Sequence, residues 1–315
     1  MRSSRNQSSM IHAAVIEAVE ARQMFAATAF LSAGVLTITG TTAADNITVS
    51  KDVANLKVKL SPSLTKTYAY AAVTKIVASL GNGNDTFTSD NSVVKKMSIT
   101  GGNDNDTITS GGAADSLYGN AGKDRLTGLD SGDILYGGSG NDTVNGNGGV
   151  DVIYDEAGKD NHFGGSSGDY FFADKVNTTE SDLFDGGDGV DFISYAGRSQ
   201  GVRIQTDGVA NDGYTGGTHG PGVELDNVFG NIEILVGTDH EDGIYAHGTV
   251  NNNIVGGKGA DYITAGPGND TVTAGDGNDF VFGESGNDSI NGGAGTDFLD
   301  GGSGNDTIVG GSGKD

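Results

Sequence analysis

The chain has 315 residues, of which 55 are glycine, 3 are proline and none is tryptophan or cysteine, and its formal net charge is −24. That charge repels nucleic acid and anionic membranes and makes cations the natural partners. Without cysteine no disulfide or thiolate metal site is available, and no apolar run approaches a bilayer span, so no transmembrane segment is expected.

Residues 1–30 carry two early arginines and then the string HAAVIEAVEARQMFAATA. Glu17, Glu20 and Arg22 interrupt its apolar part, so it reads as an amphipathic helix rather than a conventional signal peptide. Its VEARQMFAA portion resembles the short export header of some bacterial surface proteins.

From residue 31 the texture turns to alternating β-branched residues. VLTIT (35–39), NITVS (46–50), NLKVKL (55–60), TYAYAAV (67–73) and KIVASL (75–80) read as strands between Gly, Asn, Asp and Pro turns. GTTAADNIT (40–48) and GNGNDTF (81–87) are degenerate forms of a unit that dominates later, and residues 31–100 read as a β-rich cap on a repeat array.

The array itself occupies 101–175. Aspartate returns every nine residues at Asp106, Asp115, Asp124, Asp133, Asp142, Asp151, Asp160 and Asp169. The unit is G-G-x-G-x-D-x-U-x, plainest in GGSGNDTVN (137–145), with U a large apolar residue: Ile108, Leu117, Leu126, Leu135, Val144, Ile153 and Phe171. Asp160 alone is followed there by a polar residue, His162. A nine-residue period is too long for one helix face or strand, so each unit is a supersecondary step in a stack.

The beat then breaks, with thirteen residues from Asp169 to Asp182. Residues 176–246 read as a β-rich spacer containing GGDGVDFIS, GVRIQT (201–206) and NIEILV (231–236). A second array fills 247–315, with aspartates at Asp261, Asp270, Asp279, Asp288, Asp297, Asp306 and Asp315 and apolar residues at Ile263, Val272, Val281, Ile290, Leu299 and Ile308. Its end at Asp315 falls inside a unit, from which a longer parent protein is expected.

These units resemble the RTX, or haemolysin-type, calcium-binding nonapeptide repeat over roughly half the chain. The resemblance implies an all-β fold, a parallel β-roll or β-solenoid in which two nonapeptides make one coil and several Ca²⁺ ions lie between stacked turns. Residues eighteen apart then sit above one another at the ~4.8 Å spacing of paired strands. Asp106, Asp124, Asp142 and Asp160 form one column, and Asp115, Asp133, Asp151 and Asp169 the other. Carboxylates stacked at that spacing repel by roughly 3 kcal/mol per pair at an effective dielectric of about 20. Glycines at the first, second and fourth positions allow positive φ and let carbonyls turn inward. Carbonyls and carboxylates together supply the hard oxygens Ca²⁺ accepts. Softer metals lack thiols and clustered imidazoles. All fifteen repeat aspartates are therefore expected metal ligands. One buried U side chain per unit does not offset the backbone entropy of ordering nine residues, so cation binding is expected to supply folding energy.

The fourth position is glycine throughout the second array, at Gly259, Gly268, Gly277, Gly286, Gly295, Gly304 and Gly313, whereas Asp104, Ala113, Ser131 and Ser167 replace it in the first. The second array is expected to hold the better sites, and the column containing Ala113, Ser131 and Ser167 the weakest.

Residues 164–168 (GGSSG) fit a G-x-S-x-G nucleophile pattern but lie inside a nonapeptide without a strand-to-helix elbow, and His240-Glu241 begins a zinc-protease motif that lacks its second histidine. His219, His240 and His247 read as surface loop residues, and Asp207, Asp212, Glu224 and Asp226 as solvated loop charge. No enzyme is expected within the chain. A calcium-binding extracellular module with a structural, surface or adhesive role is favoured, secreted or on a bacterial surface. Partners beyond calcium are cell-surface polysaccharide or other surface proteins. The alternative is the accessory calcium-binding part of a secreted RTX enzyme or toxin whose catalytic domain lies elsewhere.

Overall fold

The computed structural model describes residues 26–60, 64–173, 182–208 and 226–315. The first 25 residues of the expected export header, together with Asp212, His219 and Glu224, lie outside them. Apart from one 3₁₀ turn at Tyr70–Ala72, every regular element among the described residues is a β-strand.

The nine-residue beat produces the coil. In the arrays each strand pairs in parallel with the strand eighteen residues on, as in Leu117↔Leu135, Leu126↔Val144 and Val272↔Ile290. Successive units lie alternately in opposite sheets, so the apolar U residues from both meet in a single narrow core. Ile108, Leu117, Leu126, Leu135, Val144, Ile153, Phe171, Ile263 and Val281 are all fully buried. Alternation along a strand also points the first-position residue inward, and in so thin a coil that slot admits little more than Gly or Ala, as at Gly119, Ala265 and Ala274.

Many strands run past the x-U-x segment of the unit. Ser116–Ala121, Arg125–Asp130, Ile134–Ser139 and Thr143–Gly148 each run for six residues. Pairing skips the first glycine and resumes on the next two residues: Tyr118↔Tyr136 is followed by Asn120↔Gly138. Three-residue strands remain at Val152–Tyr154, Tyr170–Phe172, Tyr262–Thr264 and Phe280–Phe282.

At the N-terminal end the solenoid gives way to antiparallel pairing. Thr28–Ser32 folds back on Val35–Thr39, and Asn46–Asp52, Asn55–Leu60 and Leu64–Ala69 form a meander. The segment TYAYAAV is split between the last of these strands and the 3₁₀ turn. Tyr70 in that turn is flanked by the Lys51 and Lys95 ammonium groups, 4.5 and 4.3 Å from its ring centre.

One fourteen-stranded sheet runs from Thr28–Ser32 to Thr307–Gly313 without interruption. The opposite side is shared: a ten-stranded sheet ends at Asn227–Val228, and a five-stranded sheet begins at Arg203–Gln205. Strands of 176–246 thus continue the stack, with Phe171↔Ile193↔Leu235↔Ile254 carrying the long sheet across the spacer. On its outer face Tyr118, Tyr136, Tyr154 and Phe172 stack with ring centres 5.0, 4.4 and 5.2 Å apart.

Candidate metal centres

Each repeat aspartate sits where the chain turns into a strand. One carboxylate oxygen, Oδ1, accepts a hydrogen bond from a backbone N–H one coil earlier, that of an aspartate except at Asp115 and Asp270, where Met97 and Asn252 donate. Asp106 N–H donates to Asp124, Asp124 to Asp142 and Asp142 to Asp160, each at 2.7 Å. Asp115, Asp133, Asp151 and Asp169 form the facing ladder at 2.7 to 2.8 Å. In the second array Asp261, Asp279, Asp297 and Asp315 make one ladder and Asp270, Asp288 and Asp306 the other. All fifteen expected residues therefore stand in columns.

The second oxygen has a different fate. Oδ2 of Asp106, Asp124, Asp133, Asp142, Asp151, Asp169, Asp261, Asp270, Asp279, Asp288 and Asp297 is buried without a hydrogen-bond partner. Where the first position of the unit is glycine, this oxygen points at it, and in most of these units the carbonyl of the next coil also arrives there. A Cβ on Gly256 would lie 2.5 Å from both Asp261 Oδ2 and Ala274 O, and one on Gly292 2.5 Å from Gly310 O and 2.6 Å from Asp297 Oδ2. Two oxygens from successive coils thus converge on one small space with no donor between them, which is unfavourable unless a cation joins them. The donor set is wholly hard oxygen and matches Ca²⁺.

Electrostatics agree. Burial is the first cause in each case, and it pushes the carboxyls of Asp106, Asp142 and Asp169 up to about 7 and those of Asp133 and Asp261 up to about 8. Asp151 and Asp270 rise to about 6, and Asp124, Asp279 and Asp288 are also raised by burial.

Four expected residues differ from the rest. Asp160 belongs to the unit with Asp155 in its first position and His162 in its apolar slot. Asp115 has both oxygens engaged, Oδ1 by Met97 N–H at 2.6 Å and Oδ2 by Gly111 N–H at 3.1 Å. Its unit has Ser110 in the first slot, and Ala113 does not take up a positive φ. Asp306 and Asp315, in the last coil, are half-buried and exposed.

The columns also extend beyond the regular beat. Asp45 and Asp85 precede Asp106, Asp182 and Asp226 follow Asp160, Asp191 and then Glu233 follow Asp169, and Asp242 precedes Asp261. The legible signal is an apolar residue two places on, at Ile47, Phe87, Phe184, Ile193, Val228 and Ile244. Asp226 is accordingly not solvated loop charge: it is 2 % exposed, and it accepts from the Asp182 N–H and the Tyr195 hydroxyl. A second ladder runs beside one column of the second array, in the residue before each rung. There Asn251, Asn269 and Asn287 accept from the backbone of Asn269, Asn287 and Asn305, each at 2.8 Å.

The G-x-S-x-G serine, Ser166, ends a parallel strand and donates to Asn147 O at 3.3 Å. His240 and His247 are exposed. Among the described residues no helix is long and apolar enough to cross a membrane.

Residues 100–135, 127–161, 136–171, 248–281 and 282–315 match the family of the RTX calcium-binding nonapeptide repeat (4 copies). No curated protein matches the chain. The matched segments coincide with the two stretches in which the aspartate ladders keep an eighteen-residue step.

Proposed function

We propose, for a chain built on RTX calcium-binding repeats, that the repeat aspartates are the ligands of Ca²⁺ ions held between successive coils and that this binding drives the winding of the solenoid. The observation that carries the proposal is the row of buried Oδ2 atoms that the protein gives no hydrogen, most of which face an inward carbonyl. A fold with this many uncompensated buried carboxylates does not form at neutral pH on its own.

The role is that of a structural element, stiffened by calcium and acting outside the cell, at a surface or in adhesion to surface polysaccharide or protein. In a low-calcium cytosol the chain, at net charge −24, stays unwound and exportable. Extracellular calcium modules have dissociation constants of about 10⁻⁴ to 10⁻³ M, so winding follows export. In this reading the cap (31–100), both arrays and the spacer act as one stiff unit, and no part is catalytic.

Calcium titration followed by circular dichroism and calorimetry tests this. A cooperative gain of β signal is expected on calcium addition. The same β signal in chelator as in calcium would overturn the proposal.

A further inference from the structure

Where the first array meets the spacer, one unit departs from the pattern at two inward positions. The first slot, glycine at Gly119, Gly128, Gly137, Gly146 and Gly164, is Asp155 in the Asp160 unit, and the apolar slot two residues after Asp160 is His162. Both side chains are wholly buried. His162 Nε2 lies 2.9 Å from Asp155 Oδ1, and a donor atom from each of Asp155, Asp160 and His162 lies within 4.8 Å of the others. The imidazole stacks on Phe184 at 5.0 Å, and its Nδ1 has no hydrogen-bond partner.

Acidic groups outnumber basic ones among the described residues around this cluster. Asp182 and Asp226 continue the same ladder, and the guanidinium at hand, Arg198, is 3.9 Å from Asp226. Neutral imidazole is a common metal ligand, and among the described residues four buried acidic side chains, Asp155, Asp160, Asp182 and Asp226, gather on this side of the coil.

We propose that Asp155, Asp160 and His162 hold one first-row transition ion of the zinc type inside the solenoid, which takes Asp160 out of the set of calcium-binding repeat aspartates. Zinc bonds to imidazole nitrogen and carboxylate oxygen at about 2.0–2.2 Å, so three ligand atoms around it stand about 3–3.5 Å apart, and the present spacing needs only a small adjustment. An imidazole nitrogen sets this donor set apart from the all-oxygen rungs and disfavours calcium. Because the ligands are sealed from solvent, the ion enters while the coils wind and is then trapped.

The test is to refold the full chain in excess calcium with Co²⁺ present, pass it through a desalting column, and measure cobalt, calcium and the visible spectrum. One retained cobalt per chain with ligand-field bands is expected. His162→Leu and Asp155→Gly, each of which restores a residue the other units carry at that position, should lose it while calcium content and β signal stay unchanged. No retained cobalt in the wild-type chain, or equal retention in both variants, would overturn the proposal. Calcium is counted in the same samples, so failure of the rungs and failure of this site are separate results.

Discussion

The two arrays share one register and differ in how their turns are made. In the second, the fourth-position glycines Gly268, Gly286, Gly295, Gly304 and Gly313 adopt φ between 142° and 157°, a region essentially closed to other residues. In the first, Asp104, Ser131 and Ser167 hold φ of 75°, 78° and 87° instead, and Asn120, Leu129 and Asn147 add three more non-glycine residues at 75° in the second position. Glu284 is the corresponding exception in the second array, at 74°. Several turns of the first array therefore hold side chains in a left-handed conformation that disfavours them, while Gly122, Gly140 and Gly158 keep φ of 145°, 129° and 143°, and Asp115 has both oxygens engaged. Between its arrays the solenoid keeps its coil while varying the backbone geometry of its turns.

Calcium withdrawal should expose this difference most strongly. In a calcium titration followed by hydrogen exchange and mass spectrometry, amides of 247–315 should gain protection at lower calcium than those of 101–175. Simultaneous protection would break the comparison.

Acidity gives the next largest effect. The repeat carboxyls are raised on folding, so between their ordinary value and about 8 the metal-free folded state holds protons that the unfolded chain releases. Metal-free stability is thus greatest below about pH 4 and falls as pH rises through 7 to 8. In chelator, β signal should be larger at about pH 4 than at about pH 7.5. With calcium, the unfolded and the metal-bound chain are both deprotonated above about pH 5.5, so the calcium midpoint should be flat from there to neutrality.

Gly286→Ala should cost about 2–4 kcal/mol in thermal melts, since its Cβ would strike the carbonyl of Gly268. Ser167→Ala, where the turn already holds a side chain, should be near neutral. Replacing Asp279 and Asp297 together with asparagine should weaken calcium uptake about tenfold, or about 1.4 kcal/mol, while Asp133→Asn with Asp151→Asn in the weaker column should do less. Smallest is Ser167→Gly, an exposed position at φ 87°, which should stabilise the first array by about 1 kcal/mol in calcium-saturated melts.

The sequence made the repeated parts legible. A nine-residue beat with an apolar residue two places after each aspartate predicts a stack and its core, and the resemblance to the RTX repeat adds the two-unit coil and with it the columns from Asp106 to Asp169 and Asp261 to Asp315. It hid what the beat does not carry. Asp45, Asp85, Asp182, Asp191, Asp226 and Asp242 stand in the same ladders, but insertions separate them, so spacing alone does not find them. The exchange of one short sheet for another between Asn227–Val228 and Arg203–Gln205 involves strands of two and three residues, too short to leave a periodic trace. His162 was visible as the one polar residue in its slot, while its partner Asp155 was not, because the first position varies elsewhere.

Those insertions have a practical consequence. The ladder bond that normally spans eighteen residues spans 22 from Asp160 to Asp182 and 44 from Asp182 to Asp226, at 2.7 and 3.1 Å. Closing a longer loop costs only about 0.6 kcal/mol per doubling of its length, and the rungs on either side fix where its ends must meet. The flank of the coil is therefore a place where foreign peptides can be spliced in for display, with calcium rather than the guest sequence deciding whether the host winds.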